Sequence, residues 1–243
     1  CAARRLEALP ASWRERAGVN NHTRGGGWWR WKPYYLLREL RAVRQGDVMV
    51  HTDYDLQLTS QPAALWCLGQ NAVQGVATFH FPCLTDRAWT KREVVAALGA
   101  SDAMLDTTQI YAGLLVLRRT PFTERFLEEW LQLTLRDELA TDTLAPGVVQ
   151  DRRFVAHRHD QSLLSLLAKT RKTRFCAVAS FSTIASLSPL AAAALAPRAV
   201  SSIHTSRHAA MRFWGPGHSR VASALAPARV QRPQPPRQRA AAG

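Results

Sequence analysis

No two of the four cysteines, Cys1, Cys67, Cys83 and Cys176, stand at a C-x-x-C spacing, so the sequence encodes neither a zinc knuckle nor a redox pair. They do not make a disulfide framework either, and they read as buried thiols, with a Cys67–Cys83 pair as the one alternative. No stretch reaches the roughly 18 to 20 apolar residues of a membrane span. No signal peptide is present, but the chain begins at Cys1 rather than Met and reads as a fragment or a processed form. A secretory or Golgi lumen and the cytoplasm therefore both stay open as locations. There is no internal repeat. Acidic residues are scarce, with 18 Asp and Glu against 32 Lys and Arg and a formal net charge of +14.

That imbalance is uneven along the chain. Residues 1–47 carry ten basic and four acidic side chains, 48–150 seven and twelve, and 151–243 fifteen and two. A basic shell around an acidic centre attracts a polyanion, and it suits a diphosphate equally well once the centre holds a divalent cation. Charge alone does not choose between nucleic acid and a nucleotide-linked small molecule. With 47% apolar residues the chain has ample material for a core. One domain is expected over residues 1–215. Residues 216–243, rich in Pro, Arg, Ala and Gln and without aromatics, are expected to be a disordered tail.

The pattern within the domain alternates. Residues 1–23 read as a polar helical segment, and a glycine- and tryptophan-rich loop follows. A helix set by Pro33 runs to about Arg44, and Val48–Thr52 reads as a buried parallel strand. Helices are expected near 63–68, 91–98, 122–139 and 161–169, and strands at 75–79, 111–117 and 174–179. Such alternation predicts a mixed or mostly parallel sheet with helices on both faces.

Three segments carry chemistry. Asp53-Tyr54-Asp55 follows the 48–52 strand, at the end where open α/β sheets bind ligands. Two carboxylates there are hard oxygen donors for Mn²⁺ or Mg²⁺, and the same triplet also reads as a solvated turn. Gly113, inside the apolar run 112–117, marks a close approach of ligand or backbone, or a tight helix contact. Asp160-Gln161 opens an apolar helix behind His157-Arg158-His159, where Asp160 suits an N-cap, a contact to a sugar hydroxyl or a group that orients a reacting atom. In the loop before the first long helix, Trp side chains suit either a packed corner or sugar stacking, and Arg24, Arg30 and Lys32 are candidate phosphate contacts. Lys32 is the preferred one, because Pro33 places it at a helix N-terminus.

The order Asp53-x-Asp55, Ala112-Gly113, Asp160-Gln161, Ile203-His204 resembles the glycogenin-like and galactosyltransferase-like retaining enzymes of the GT-A class. More closely, Arg24-Gly25-x-Gly27-Trp28-Trp29-x-Trp31-Lys32-Pro33-Tyr34, Trp89-Thr90-Lys91-Arg92 and His157 to Ser162 resemble a group of nucleotide-diphospho-sugar transferases. The resemblance covers roughly residues 20–207. It implies a GT-A-like α/β domain whose first strand lies upstream of residue 1 and is missing here. It further implies metal ligands at Asp53, Asp55 and His204, donor contacts at Lys32, Arg24, Asp53, Tyr54 and Gly113, and catalytic roles for Asp160 and Gln161. The expected partners are a UDP- or GDP-linked sugar and a glycan or other hydroxyl acceptor, with no specific nucleic acid. A noncatalytic carbohydrate- or nucleotide-binding relative is the alternative. A basic nucleic-acid-binding protein is a weaker one, because it gives no account of the Asp53/Asp55 strand end.

Overall fold

Two apolar strands lie side by side near the middle of a sheet and decide where everything else packs. The computed structural model describes residues 2–4, 6–53, 56–58, 62–173, 185–187 and 208–213. Its strands are β1 (Ala2–Arg4), β2 (Val48–Asp53), β3 (Leu56–Leu58), β4 (Val76–Thr85), β5 (Thr108–Arg118), β6 (Ala185–Leu187) and β7 (His208–Phe213). Ahead of β2 come the helices α1 (Ala11–Arg16), α2 (Gly25–Trp28) and α3 (Trp31–Ala42). Between β3 and β5 come α4 (Pro62–Asn71), α5 (Asp86–Trp89), α6 (Arg92–Leu98) and α7 (Asp102–Leu105). The last three are α8 (Pro121–Thr134), α9 (Asp137–Ala140) and α10 (His159–Thr170).

The main sheet has the order β1-β7-β2-β5-β4, and β3 pairs with β6 in a second, two-stranded sheet. Every pairing is antiparallel. The parallel sheet expected from the alternating pattern is therefore not found among the described residues. The reason lies in one insertion. β2 and β4 do run in the same direction, joined through α4 as a strand–helix–strand unit, but β5 enters between them and pairs antiparallel with both. The chain remains a mixed α/β structure, with an open antiparallel sheet.

Apolar residues segregate to the two faces with the period of two that strands impose. Val48 and Val50 of β2 pack with Leu65 of α4, while Met49 between them packs on the opposite face with α3, α8 and α10. In β5 the alternation slips by one residue. Ile110 and Ala112 face the large core, and so do Leu115 and Leu117. The slip matches a register shift against β4 between Thr78 and His80. Gly113 thus sits in a β-bulge, a feature that is over-represented beside active sites. A side chain there would collide with Tyr111, whose ring atoms lie 2.4 to 2.7 Å from the position of a Cβ. The space beside Gly113 is filled by Tyr111, not left for a ligand.

Other expectations are amended in detail. β1 stands within the segment expected to be purely helical. The helix expected over 122–139 breaks into α8 and α9, because Arg136 takes an extended conformation, φ −87° and ψ 111°. Pro121 opens α8 at its first turn behind Thr120, whose side chain accepts a hydrogen bond from the Thr123 amide, as a helix start requires. Cys67 is an exposed free thiol, so neither burial nor a Cys67–Cys83 pair accounts for it. The strand expected at 174–179 and the tail at 216–243 lie outside the described residues. No helix among the described residues is long and apolar enough to cross a membrane.

Beneath the sheet, a buried ion pair ties α10 to the strand ends. Asp86, fully buried, pairs with Lys169 and accepts hydrogen bonds from Ser165 Oγ at 2.8 Å and Thr90 Oγ1 at 3.1 Å. Lys169 also donates to the Thr108 carbonyl at 2.9 Å. Removing one member of such a pair strands the other's charge in the core. Lys169→Met is expected to lower unfolding free energy by about 3 to 5 kcal/mol. Adding Asp86→Asn should recover part of that loss in a urea titration. A Lys169→Met protein as stable as the parent would show that the pair does not anchor α10.

Candidate functional site

Lys32 is the second residue of α3, and its ammonium points into the protein instead of standing free at the helix N-terminus. Its side chain is 3% exposed. The Nζ lies 3.2 Å from Asp53 Oδ1, 3.3 Å from Asp53 Oδ2 and 3.2 Å from Asp160 Oδ2. A further contact, 3.5 Å, reaches the Ala112 carbonyl in the β5 bulge. Three elements thus meet at one nitrogen: the end of β2, the start of α10 and the irregular point of β5. The sequence separation between Asp53 and Asp160 vanishes because β2 and α10 both pack against β5.

His51 completes the cluster. It lies two residues before Asp53 and so projects from the same strand face, with Nε2 3.2 Å from Asp53 Oδ1. Burial holds its imidazole below the ordinary pKa, so it is neutral at pH 7. The period of two would have drawn it from the sequence, had the 48–52 run been read as more than an apolar strand.

One ammonium faces two carboxylates, and the Arg158 guanidinium acts on Asp160 as well. The Lys32 pKa is raised, since the two carboxylates outweigh its burial. Burial, with the repulsion of Asp53 added, pushes the Asp160 carboxyl up to about 6, although Lys32 pulls the other way. Asp160 is not an N-cap. Arg158 occupies that position, and Ser162 Oγ accepts a hydrogen bond from the Arg158 amide at 3.1 Å.

The remaining residues of the 157–162 segment brace this arrangement. His157 and His159 bond the carbonyls of Leu139 and Ala140 at 2.8 and 2.9 Å, and burial keeps both rings below their ordinary pKa, His159 at about 4. Arg158 lies over the rings of Phe81 and Trp89. Gln161 donates to Gln109 Oε1 at 2.7 Å, and Gln109 in turn bonds Thr90 and Ser162. Its amide is thus engaged in a buried network, which sets it apart from the sugar-site role expected for it. Trp130 donates its indole N–H to the Asp160 carbonyl at 3.0 Å.

Beside the cluster the glycine–tryptophan segment adopts a conformation rare for L-residues. Gly25, Gly26, Gly27, Trp28 and Trp29 all have positive φ, from 57° to 97°, and the amides of Trp28 and Trp29 bond the carbonyls of Arg24 and Gly25. This is a left-handed helical turn. Such a turn costs about 1 to 2 kcal/mol for each non-glycine residue in it, which is why three glycines lead in. At Gly27 a Cβ would meet backbone of Gly18 and Val19 at 2.7 Å. His159, at φ 47°, shares the strained region, and the rings of Trp28 and Trp29 pack on it with centroids 4.9 and 5.2 Å away. Backbone strain of this kind gathers at functional sites.

Other expected site residues fall elsewhere. Arg24 is exposed and pairs with Asp142 at 3.0 Å. Arg30 is buried, donating to the Ala17 carbonyl and pairing with Asp137, so it does not stand ready for a phosphate. Tyr54, Asp55 and His204 lie outside the described residues. No group of three or more His, Cys, Asp or Glu side chains able to hold a metal gathers among the described residues. What the described cluster offers a divalent cation is a hard oxygen donor, the partly exposed Asp53, which fits in donor chemistry.

No family model, curated protein or solved structure matches the chain.

The Asp160 carboxyl has a signature of its own. In the unfolded chain its pKa is the ordinary 3.8 and in the folded chain about 6, so between these values the folded protein binds the extra proton. Its contribution to stability is present at low pH and lost as pH rises through about 6. The buried histidines push in the opposite direction, so the comparison must be made with a variant. Relative to the parent, Asp160→Asn should gain stability between pH 4 and pH 7, read from urea melts across that range. A difference that does not change with pH would place the Asp160 titration outside this window.

Proposed function

We propose that the protein is a glycosyltransferase that moves a sugar from a UDP- or GDP-linked donor to a hydroxyl acceptor, with reaction chemistry centred on Asp53, Lys32 and Asp160. One observation carries this reading: a lysine buried between two aspartates that come from distant parts of the chain and meet at a strand end. A fold gains little from such a cluster, because desolvating three charges costs more than apolar packing would. A perturbed carboxyl in a buried charge cluster, here that of Asp160, is what acid–base chemistry requires.

An anionic diphosphate does not approach two carboxylates without a counter-charge. Asp53, with Asp55 and His204 as further ligands in this proposal, would hold Mn²⁺ or Mg²⁺, which would supply that charge and stabilise a departing diphosphate. The protein's own groups do the rest. Lys32 fixes the Asp53 carboxylate from its buried side and holds Asp160 against it. Asp160, with its pKa near 6, either takes the acceptor's proton or holds a donor-sugar hydroxyl. Retention of configuration is the preferred course, in which Asp160 holds the donor sugar. The left-handed turn at Trp28 and Trp29 sets an aromatic wall beside His159, the neighbour of Asp160.

UDP-glucose or GDP-mannose should bind in calorimetry with Mn²⁺ present and not in excess chelator, and Asp53→Asn should abolish the metal dependence. Equal affinity with and without chelator would remove metal bridging from the mechanism. Binding without turnover against any hydroxyl acceptor would favour the noncatalytic relative.

Asp160→Asn separates two roles for that residue. Loss of a general base lowers turnover by about 10² to 10⁴ and spares donor affinity. Loss of a donor contact weakens donor binding as well, and the product then keeps the anomeric configuration of the donor. Proton NMR of the product, recorded before mutarotation, reads this directly, and an inverted anomer would refute retention.

A further inference from the structure

A second feature lies beside Trp28. The loop after α1, the glycine–tryptophan turn and α9 enclose an open cleft of about 490 Å³, within the range typical of small-ligand sites. Its lining combines an aromatic residue, Trp28, with short polar side chains such as Asn20, Thr23 and Thr143 and with the charged residues Arg30, Asp137 and Glu138. We infer that this cleft is the acceptor subsite and takes a neutral saccharide.

The chemistry of the lining points there. A pyranose ring has an apolar face that packs on an indole and an equatorial rim of hydroxyls that bond to carboxylates, amides and threonine oxygens. Thr23 and Thr141 donate their protons to Asn20 Oδ1 and the Asp137 carbonyl, which leaves their oxygens as acceptors for sugar hydroxyls. Charge then selects among ligands. Asp137 and Glu138 are largely exposed, at 81% and 58%, and each pairs with an arginine, Arg30 of the lining and Arg136, so the acids at the cleft are matched by cations. With Arg30 already paired to Asp137, the lining favours a neutral polyol over the nucleotide half of a donor.

The walls are held before any ligand arrives. Lys91 Nζ, fully buried, donates to the carbonyls of Thr141 and Thr143 at 2.8 and 2.9 Å, and this pins the far side of the cleft. On the near side, Asn20 Oδ1 accepts the amides of His22 and Thr23 at 2.9 and 2.8 Å. Walls fixed in advance lower the entropy lost on binding. Trp28 connects the cleft to the charge cluster. Its ring lines the cleft and packs on His159, which immediately precedes Asp160.

This inference rests on the transferase reading, whose acceptor it names, and the test separates the two. Maltotriose, cellotriose and mannotriose are titrated into the full chain by saturation-transfer NMR, and UDP-glucose with Mn²⁺ is titrated into the same samples. At least one trisaccharide should bind, and Trp28→Ala should weaken it by about tenfold. Because that change also relaxes the turn, Glu138→Gln and Thr143→Val serve as milder variants. Each should lower saccharide affinity several-fold with circular dichroism unchanged and sugar-nucleotide binding intact. No binding of any of the three saccharides, or equal affinity in the parent and all three variants, overturns the subsite. Sugar-nucleotide binding without saccharide binding defeats the cleft alone. Saccharide binding that depends on Trp28 and Glu138, without any sugar-nucleotide binding, supports the cleft and defeats the transferase.

Discussion

The buried ammonium of Lys32 holds the centre of this protein together by being shared between the carboxylates of Asp53 and Asp160. Every element around it is constrained by that sharing. β2 must end at Asp53, α10 must begin where Asp160 faces inward, and α3 must start with its second residue turned toward the sheet. Two aspartates left without the lysine would repel each other in a poorly screened interior, and a lysine left without them would lose its charge to burial. The arrangement is stable only when all three are present. Even then Asp160 keeps an elevated carboxyl pKa.

Strain is concentrated next to that centre. Trp28, Trp29 and His159 occupy the left-handed region together, and their rings pack on one another across the gap between α2 and α10. Favourable aromatic contact offsets part of the backbone cost, and three glycines keep that cost confined to two residues in the turn. Because the turn is made from a backbone conformation most side chains avoid, it presents two large rings from a short segment. The β5 bulge does similar service on the opposite side, leaving the Ala112 carbonyl within reach of Lys32.

The histidine-rich segment before α10 illustrates how far a chemical-looking motif can be structural. Three residues, His157, Arg158 and His159, use their side chains to hold α9, Phe81 and Trp89 in place. Gln161 joins a buried amide network. Only Asp160 within this run meets the charge cluster. Polar density in a sequence therefore marks a junction of elements as readily as it marks a reacting group, because a buried junction must satisfy its backbone carbonyls too.

Periodicity and punctuation in the sequence determined most of the elements. Pro33 and Pro121 set helix starts, the Val48 run set β2, and Gly113 set an irregularity in β5. The position of Asp53 at a strand end was legible for the same reason, since it needs only local pattern. The sheet's antiparallel order was not, because the identical strand–helix–strand pattern results whether or not a later strand is inserted between the first two. Nor was the pairing of Lys32 with Asp53 and Asp160, or the addition of His51. Charged side chains show in sequence only as charges, and which of them share a buried site depends on how α3, β2, β5 and α10 pack. The cleft beside Trp28 depends on tertiary structure in the same way: its walls come from residues more than a hundred positions apart, brought together by Lys91 and by a left-handed turn whose glycines announced only freedom, not direction.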